Sequence, residues 1–179
     1  IIKDQMSVYI KKCCEIGGNH YDIAKAMYEK YSHEFVCSST KFKTWYKFKT
    51  PVWVEIEEGI DLKKKISTEI VRLFDAKIKE LQNEKRSLTQ SERIQFAPDD
   101  ETESVDSDYE IDVSEEQASH NANVQDVIKI DKKIERLYKI IGSCKQAPYK
   151  NNIMRECMEL FHDPLFERKL NSNKYIIAF

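Results

Sequence analysis

The apolar positions change period along the chain. Residues 1–18 place Ile2, Met6, Val8, Tyr9 and Ile10 ahead of Gly17 and Gly18, the pattern of a short helix or lead-in. Asn19 then offers an N-cap for a helix over about 20–31, with Asp22 near the favourable end of its dipole and Ile23, Met27 and Tyr31 as its buried stripe. From there the period becomes two. The runs 34–37, 44–48 and 52–56 are rich in β-branched and aromatic residues and are divided by Ser38, Ser39 and by Thr50, Pro51, which predicts a three-stranded antiparallel meander. Helical spacing returns after Gly59 through Leu62, Ile66, Ile70, Leu73, Phe74, Ile78 and Leu81. Periodicity is lost over 87–123. It resumes with Val124, Val127, Ile128, Ile134, Leu137, Tyr138 and Ile141, and Gly142 is the expected end of that helix. Ile153, Met154, Cys157, Leu160 and Phe161 mark another helix between Pro148 and Asp163, followed by a short helix over 166–170 and a strand-like tail over 175–179. The pattern predicts a mainly α protein with a small antiparallel β-sheet, an α+β fold. Its expected organisation is a winged-helix-like N-terminal lobe over 1–86, an insert over 87–123 and a C-terminal helical lobe over 124–179.

The strand pattern also carries chemistry. Read at a period of two, KFKTWYKFKTPVWVEI over 41–56 sends Phe42, Thr44, Tyr46 and Phe48 one way and Lys41, Lys43, Trp45, Lys47 and Lys49 the other. Val52, Val54 and Ile56 are expected to share the core face with Tyr46 and Phe48, leaving Trp53 beside Trp45. Four ammonium groups around an outward indole suit a surface that binds phosphate and stacks on bases. The same pattern fits an edge strand whose lysines prevent edge pairing. Lys63, Lys64 and Lys65 follow at the expected first turn of the next helix, where the dipole disfavours cations and an external anion would relieve them. They also fit plain surface decoration. The candidate nucleic-acid-binding residues are therefore Lys41, Lys43, Trp45, Lys47, Lys49, Lys63, Lys64 and Lys65.

Charge sharpens this reading. The formal net charge is −2, yet residues 99–116 hold ten acidic residues and no lysine or arginine, so the rest carries 29 basic against 21 acidic residues, a balance of +8. The segment over 87–123 is expected to be a disordered linker or a mobile polyanion competing with DNA, with Ser104 and Ser107 set among acids. With 179 residues, and Gly and Pro at four each, long helices in one domain or two small ones are favoured. Five cysteines without a CxxC pair argue for reduced thiols, and Cys13, Cys14 and His20 make a poor zinc set. No apolar run reaches the length of a membrane span. Neither GxxxxGK[ST] nor GxGxxG is present, and His20, His33, His120 and His162 are scattered. No catalytic, cofactor-binding or metal site is expected, which leaves a binding or scaffolding module with DNA or protein as its partner.

The stretches HYDIAKAMYEKY, EFVCSS, WYKFKTPVWVEIEEGIDLKKKIS and YKNNIMRECMELFHDPLFERKLNSNKYIIAF together resemble the region preceding the superfamily III helicase domain in poxvirus-type primase-helicases, giant-virus members above all. The resemblance covers most of the chain outside 87–123, where the acidic insert departs from the family pattern. It implies a connector or collar between a primase domain and a hexameric ring ATPase that unwinds DNA at the replication fork, working in the host cytoplasm. Single-stranded or forked DNA and neighbouring helicase subunits are the implied partners. ATP and Mg would belong to the ring domain, beyond these residues, and no catalytic residue carries over. On this reading the chain is a piece of a longer protein. The alternative is a docking or oligomerisation module with no direct DNA contact.

Overall fold

A computed structural model describes the backbone of residues 2–95 and 113–172, and the side chains of 6–90 and 123–170. Helices α1 (Ile2–Ile16) and α2 (His20–Tyr31) lead into strands β1 (Phe35–Ser39), β2 (Thr44–Lys49) and β3 (Val52–Ile56). A 3-10 turn, Glu57–Gly59, opens α3 (Ile60–Lys65), and a π-helical turn, Ile66–Ile70, carries it into α4 (Val71–Gln95). Helices α5 (Val113–Cys144), α6 (Ala147–Leu160) and α7 (Phe166–Ser172) follow. The chain is mainly helical with one antiparallel sheet of order β1-β2-β3, as the periodicity predicts.

Two compact units form: Ile1–Asp75 with Arg136–Phe179, and Ala76–Glu135. Residues 136–172 thus pack with the N-terminal elements and do not make a lobe apart. The insert expected over 87–123 is helical over 87–95 and 113–123, while 96–112, like the tail over 175–179, lies outside the described residues. Lys, Arg, Gln and Glu over 85–95 are good helix formers without any apolar stripe. Gly142 does not end its helix, which continues to Cys144.

In the first unit, Asn19 caps α2 by accepting the Tyr21 N–H at 2.8 Å. Ile23, Met27 and Tyr31 of α2, Phe35 and Cys37 of β1, Leu62 and Ile66 after the sheet, and Ile153, Cys157 and Phe161 near α6 are all buried. The end of α6 is tied to β1. The Cys37 N–H donates to the Phe161 carbonyl at 2.9 Å, and the Asp163 N–H donates to the Cys37 carbonyl at 3.0 Å. That pair of hydrogen bonds holds the end of α6 beside β1, and Phe161 packs on Trp45 of β2. The second unit buries Ile78, Leu81 and Ile130, and Lys85 donates to both Asp131 carboxylate oxygens at 2.7 Å.

Candidate nucleic-acid interface

Trp45 is core. It is 1% exposed, its ring centre lies 5.7 Å from that of Phe161, and it sits against Gly59. Its expected outward, base-stacking position is corrected by the register. Directly opposed residues of an antiparallel ladder share a face, and Trp45 pairs with Cys37 on one side and Ile56 on the other. The core face is therefore Phe35, Cys37, Trp45, Val54 and Ile56. Tyr46, Phe48 and Trp53 lie on the opposite face, where Phe166 of α7 packs on Tyr46 and Trp53 at 5.1 and 5.0 Å between ring centres. The alternation also stops at the strand end: Lys41 and Lys43 belong to the β1–β2 turn, and Lys43 is left-handed at φ 53.

Lys47 and Lys65 are engaged by carboxylates. Lys47 lies on the core face, where its ammonium stands 5.6 Å from the centre of the Phe35 ring and reaches Asp61 at 3.0 Å and Glu34 at 3.7 Å. Lys65 meets Glu34 at 3.5 Å and Glu69 at 2.9 Å, over the Tyr31 ring at 4.5 Å. Glu69 also pairs with Lys30 at 3.1 Å and accepts the Tyr31 hydroxyl at 2.6 Å. Three lysines and three carboxylates alternate in this partly buried chain, and their charges cancel. The expected arrangement of Trp45, Lys47 and Lys65 as one outward cluster is therefore overturned. The expected first-turn placement of the lysine triplet is corrected too: α3 begins at Ile60, which puts Asp61 in the first turn and the lysines after it.

The network has a pH signature. Hydrogen bonds from Tyr31 and then Lys65 hold the Glu69 carboxyl at about 2, below its ordinary 4.5. A carboxylate whose folded value is depressed stabilises the fold fully above its unfolded value, and that stability is lost as pH falls from about 4.5 toward 2. Thermal melts across pH 6 to 2 should show a steep acid loss that is shallower in Glu69→Gln. Parallel profiles for the two proteins would refute the assignment.

Lys41, Lys49, Lys63 and Lys64 make no ion pair among the described residues. Lys41, Lys49 and Lys64 are exposed. Lys47, Lys64 and Lys49 all act on Asp61, whose carboxyl is held below its ordinary range first by the Lys47 hydrogen bond. Lys43 and Lys63 line a groove of about 260 Å³ with Glu58, Asn151, Met154, Arg155 and Met158, and Trp45 also contributes to its wall. Arg155 is the functional candidate that sequence reasoning misses. Its signal is a stripe at helical spacing, Asn151, Met154, Arg155 and Met158, but nothing local says that α6 meets the hairpin.

The sequence lacks a phosphate-cradling glycine loop, and no group of three or more His, Cys, Asp or Glu among the described residues is placed to hold a metal. Burial pushes the Cys13 and Cys144 thiols up to about 12 and the Cys37 thiol to about 11, values unsuited to a thiolate nucleophile.

A family described as D5 N terminal like matches residues 24–179. The chain is similar to "Putative helicase 022R" of Frog virus 3 (isolate Goorha), at 31% identity over 162 residues, 90% of this chain and 16% of that protein. It is similar also to "Putative helicase L207/L206" of Acanthamoeba polyphaga mimivirus, at 28% identity over 161 residues, 90% of this chain and 13% of that protein. The chain spans less than a fifth of the length of either relative. These findings agree with the resemblance carried by the sequence blocks.

Proposed function

Because the chain belongs to the D5 N-terminal-like family, with relatives named as viral helicases, we propose that it is a non-catalytic module of a replicative primase-helicase that guides DNA by gripping its phosphates. ATP hydrolysis and strand separation fall to a ring ATPase elsewhere in the longer protein. The observation that carries this reading is the set of lysines at the two ends of β2 and on α3. There Lys41, Lys49, Lys63 and Lys64 have no ion-pair partner among the described residues, and Lys43 has only an exposed one. Such side chains suit phosphate contacts, which position a duplex or single strand without reading its sequence.

Each phosphate contact releases counterions, so every lysine that grips DNA contributes about 0.7–0.9 to the slope of log K against log salt. Lys49→Gln, Lys63→Gln and Lys64→Gln should each weaken binding of a labelled oligonucleotide and lower that slope by about this amount. Lys47→Gln should instead reduce stability with a smaller effect on the slope. Equal slopes for the wild type and all three surface variants would refute the reading.

A second reading, docking onto a neighbouring subunit, is favoured by Val124 and Ile128. They lie one turn apart on α5 and are 39% and 40% exposed. Sedimentation of the chain over a range of concentrations tests it: self-association abolished by Val124→Asp, Ile128→Asp would favour that reading, and a strict monomer would count against self-assembly.

A further inference from the structure

The groove beside the hairpin brings together three cations from three separate elements: Lys43 from the β1–β2 turn, Lys63 from α3 and Arg155 from α6. Its single carboxylate among the described residues is Glu58. Lys63 and Arg155 have no ion-pair partner among the described residues, and Lys43 meets Glu58 at 3.5 Å. Formal charges on the lining therefore sum to a positive surplus. Asn151 adds an amide, while Met154, Met158 and Trp45 supply apolar wall.

The groove is built on rigid parts. Gly59 is left-handed at φ 66 and lies against both Trp45 and the Met154 methyl group, which fixes the spacing between the hairpin and α6. Lys43 and Glu58 are the non-glycine residues with positive φ among the described residues, at 53 and 44. This uncommon backbone state brings the two side chains into one groove. Their pair is 55% and 69% exposed, long for an ion pair, and hence weak and open to displacement by another anion. A phosphate diester, like the Glu58 carboxylate, shares one negative charge over two acceptor oxygens, but one seated in the groove is offered Lys43, Lys63 and Arg155 together, and a planar guanidinium matches its oxygens in pairs.

We propose that this groove seats one phosphate of the DNA backbone, gripped by Lys43, Lys63 and Arg155, with Glu58 as the internal carboxylate that the phosphate displaces from Lys43. This rests on the DNA-binding reading above and adds to it a defined seat, the α6 residue Arg155 and a built-in competitor. The competitor restrains binding, since DNA must break a pair and approach a like charge before it is held.

The test is fluorescence anisotropy with a labelled single-stranded oligonucleotide at two salt concentrations, using the wild type, Arg155→Gln, Glu58→Gln and, for comparison, Lys49→Gln. Arg155→Gln should weaken binding several-fold and lower the salt slope by about 0.7. Glu58→Gln should tighten binding by roughly two- to fivefold at low salt and less at high salt, as screening removes the repulsion. A gain of affinity cannot come from damaged folding. If Arg155→Gln and Glu58→Gln bind as the wild type does while Lys49→Gln is weakened, the seat is wrong and the DNA-binding reading stands. If the wild type binds no DNA, both fall. Calorimetry with inorganic phosphate alone separates the two sources of the anion. Arg155-dependent uptake of phosphate, with DNA affinity indifferent to Arg155, would overturn the proposal in favour of a free-anion site.

Discussion

Replacing Trp45 with alanine should cost about 3–5 kcal/mol of folding stability, a large share of the roughly 5–15 kcal/mol that holds a domain of ordinary stability together. The indole is among the largest fully buried side chains, and its removal opens a void between β2, Phe161 and the Gly59 turn. A urea titration followed by circular dichroism should show the midpoint falling sharply. Trp45→Phe retains an aromatic body and should recover part of the loss. Its DNA affinity, measured on the folded protein, should stay close to that of the wild type. An exposed stacking residue would behave in the opposite way, with unchanged stability and weakened binding.

Gly59→Ala should destabilise by roughly 2–4 kcal/mol, because two separate costs fall on one methyl group. The backbone sits at φ 66, where a side chain crowds the carbonyl that follows it. The added Cβ would also lie 2.9 Å from the Met154 methyl and 3.1 Å from two Trp45 ring atoms. The methionine end can swing aside, but the indole is wedged in the core and cannot. Gly142→Ala is the control with the reverse sign. It lies inside α5 with nothing within 4 Å of the new methyl, and should stabilise by about 0.5–1 kcal/mol. Urea midpoints moving in opposite directions would support both assignments, and a neutral Gly59→Ala would contradict the packing described for the hairpin and α6.

The helix and strand pattern was largely legible because it depends on local periodicity. Asn19 as cap, the three strands and the stripes through Ile66, Ile70, Phe74 and through Ile153, Cys157 all follow from residues close in sequence. The faces of the sheet were harder to assign, since Trp45 on one side and Tyr46 and Phe48 on the other offer comparable aromatic bulk. The deciding signal is the turn. With Thr50 and Pro51 alone between the strands, Lys49 must oppose Val52, and counting back pairs Trp45 with Ile56 rather than with Trp53. That count was available in the sequence. Glu69 lies four residues beyond Lys65 at helical spacing, but Glu34 and Asp61, the partners of Lys47, were less accessible, because they come from elements that meet β2 only after folding. Arg155 was out of reach for the same reason, lying on α6 more than a hundred residues beyond Lys43.

The most direct test of the central claim is the affinity of the unmodified chain for a labelled oligonucleotide over a series of salt concentrations. Grip by Lys41, Lys43, Lys49, Lys63, Lys64 and Arg155 predicts log K falling linearly with log salt, at a slope of about 0.7–0.9 for each phosphate engaged. Binding that ignores salt, or no binding even at low salt, would contradict it.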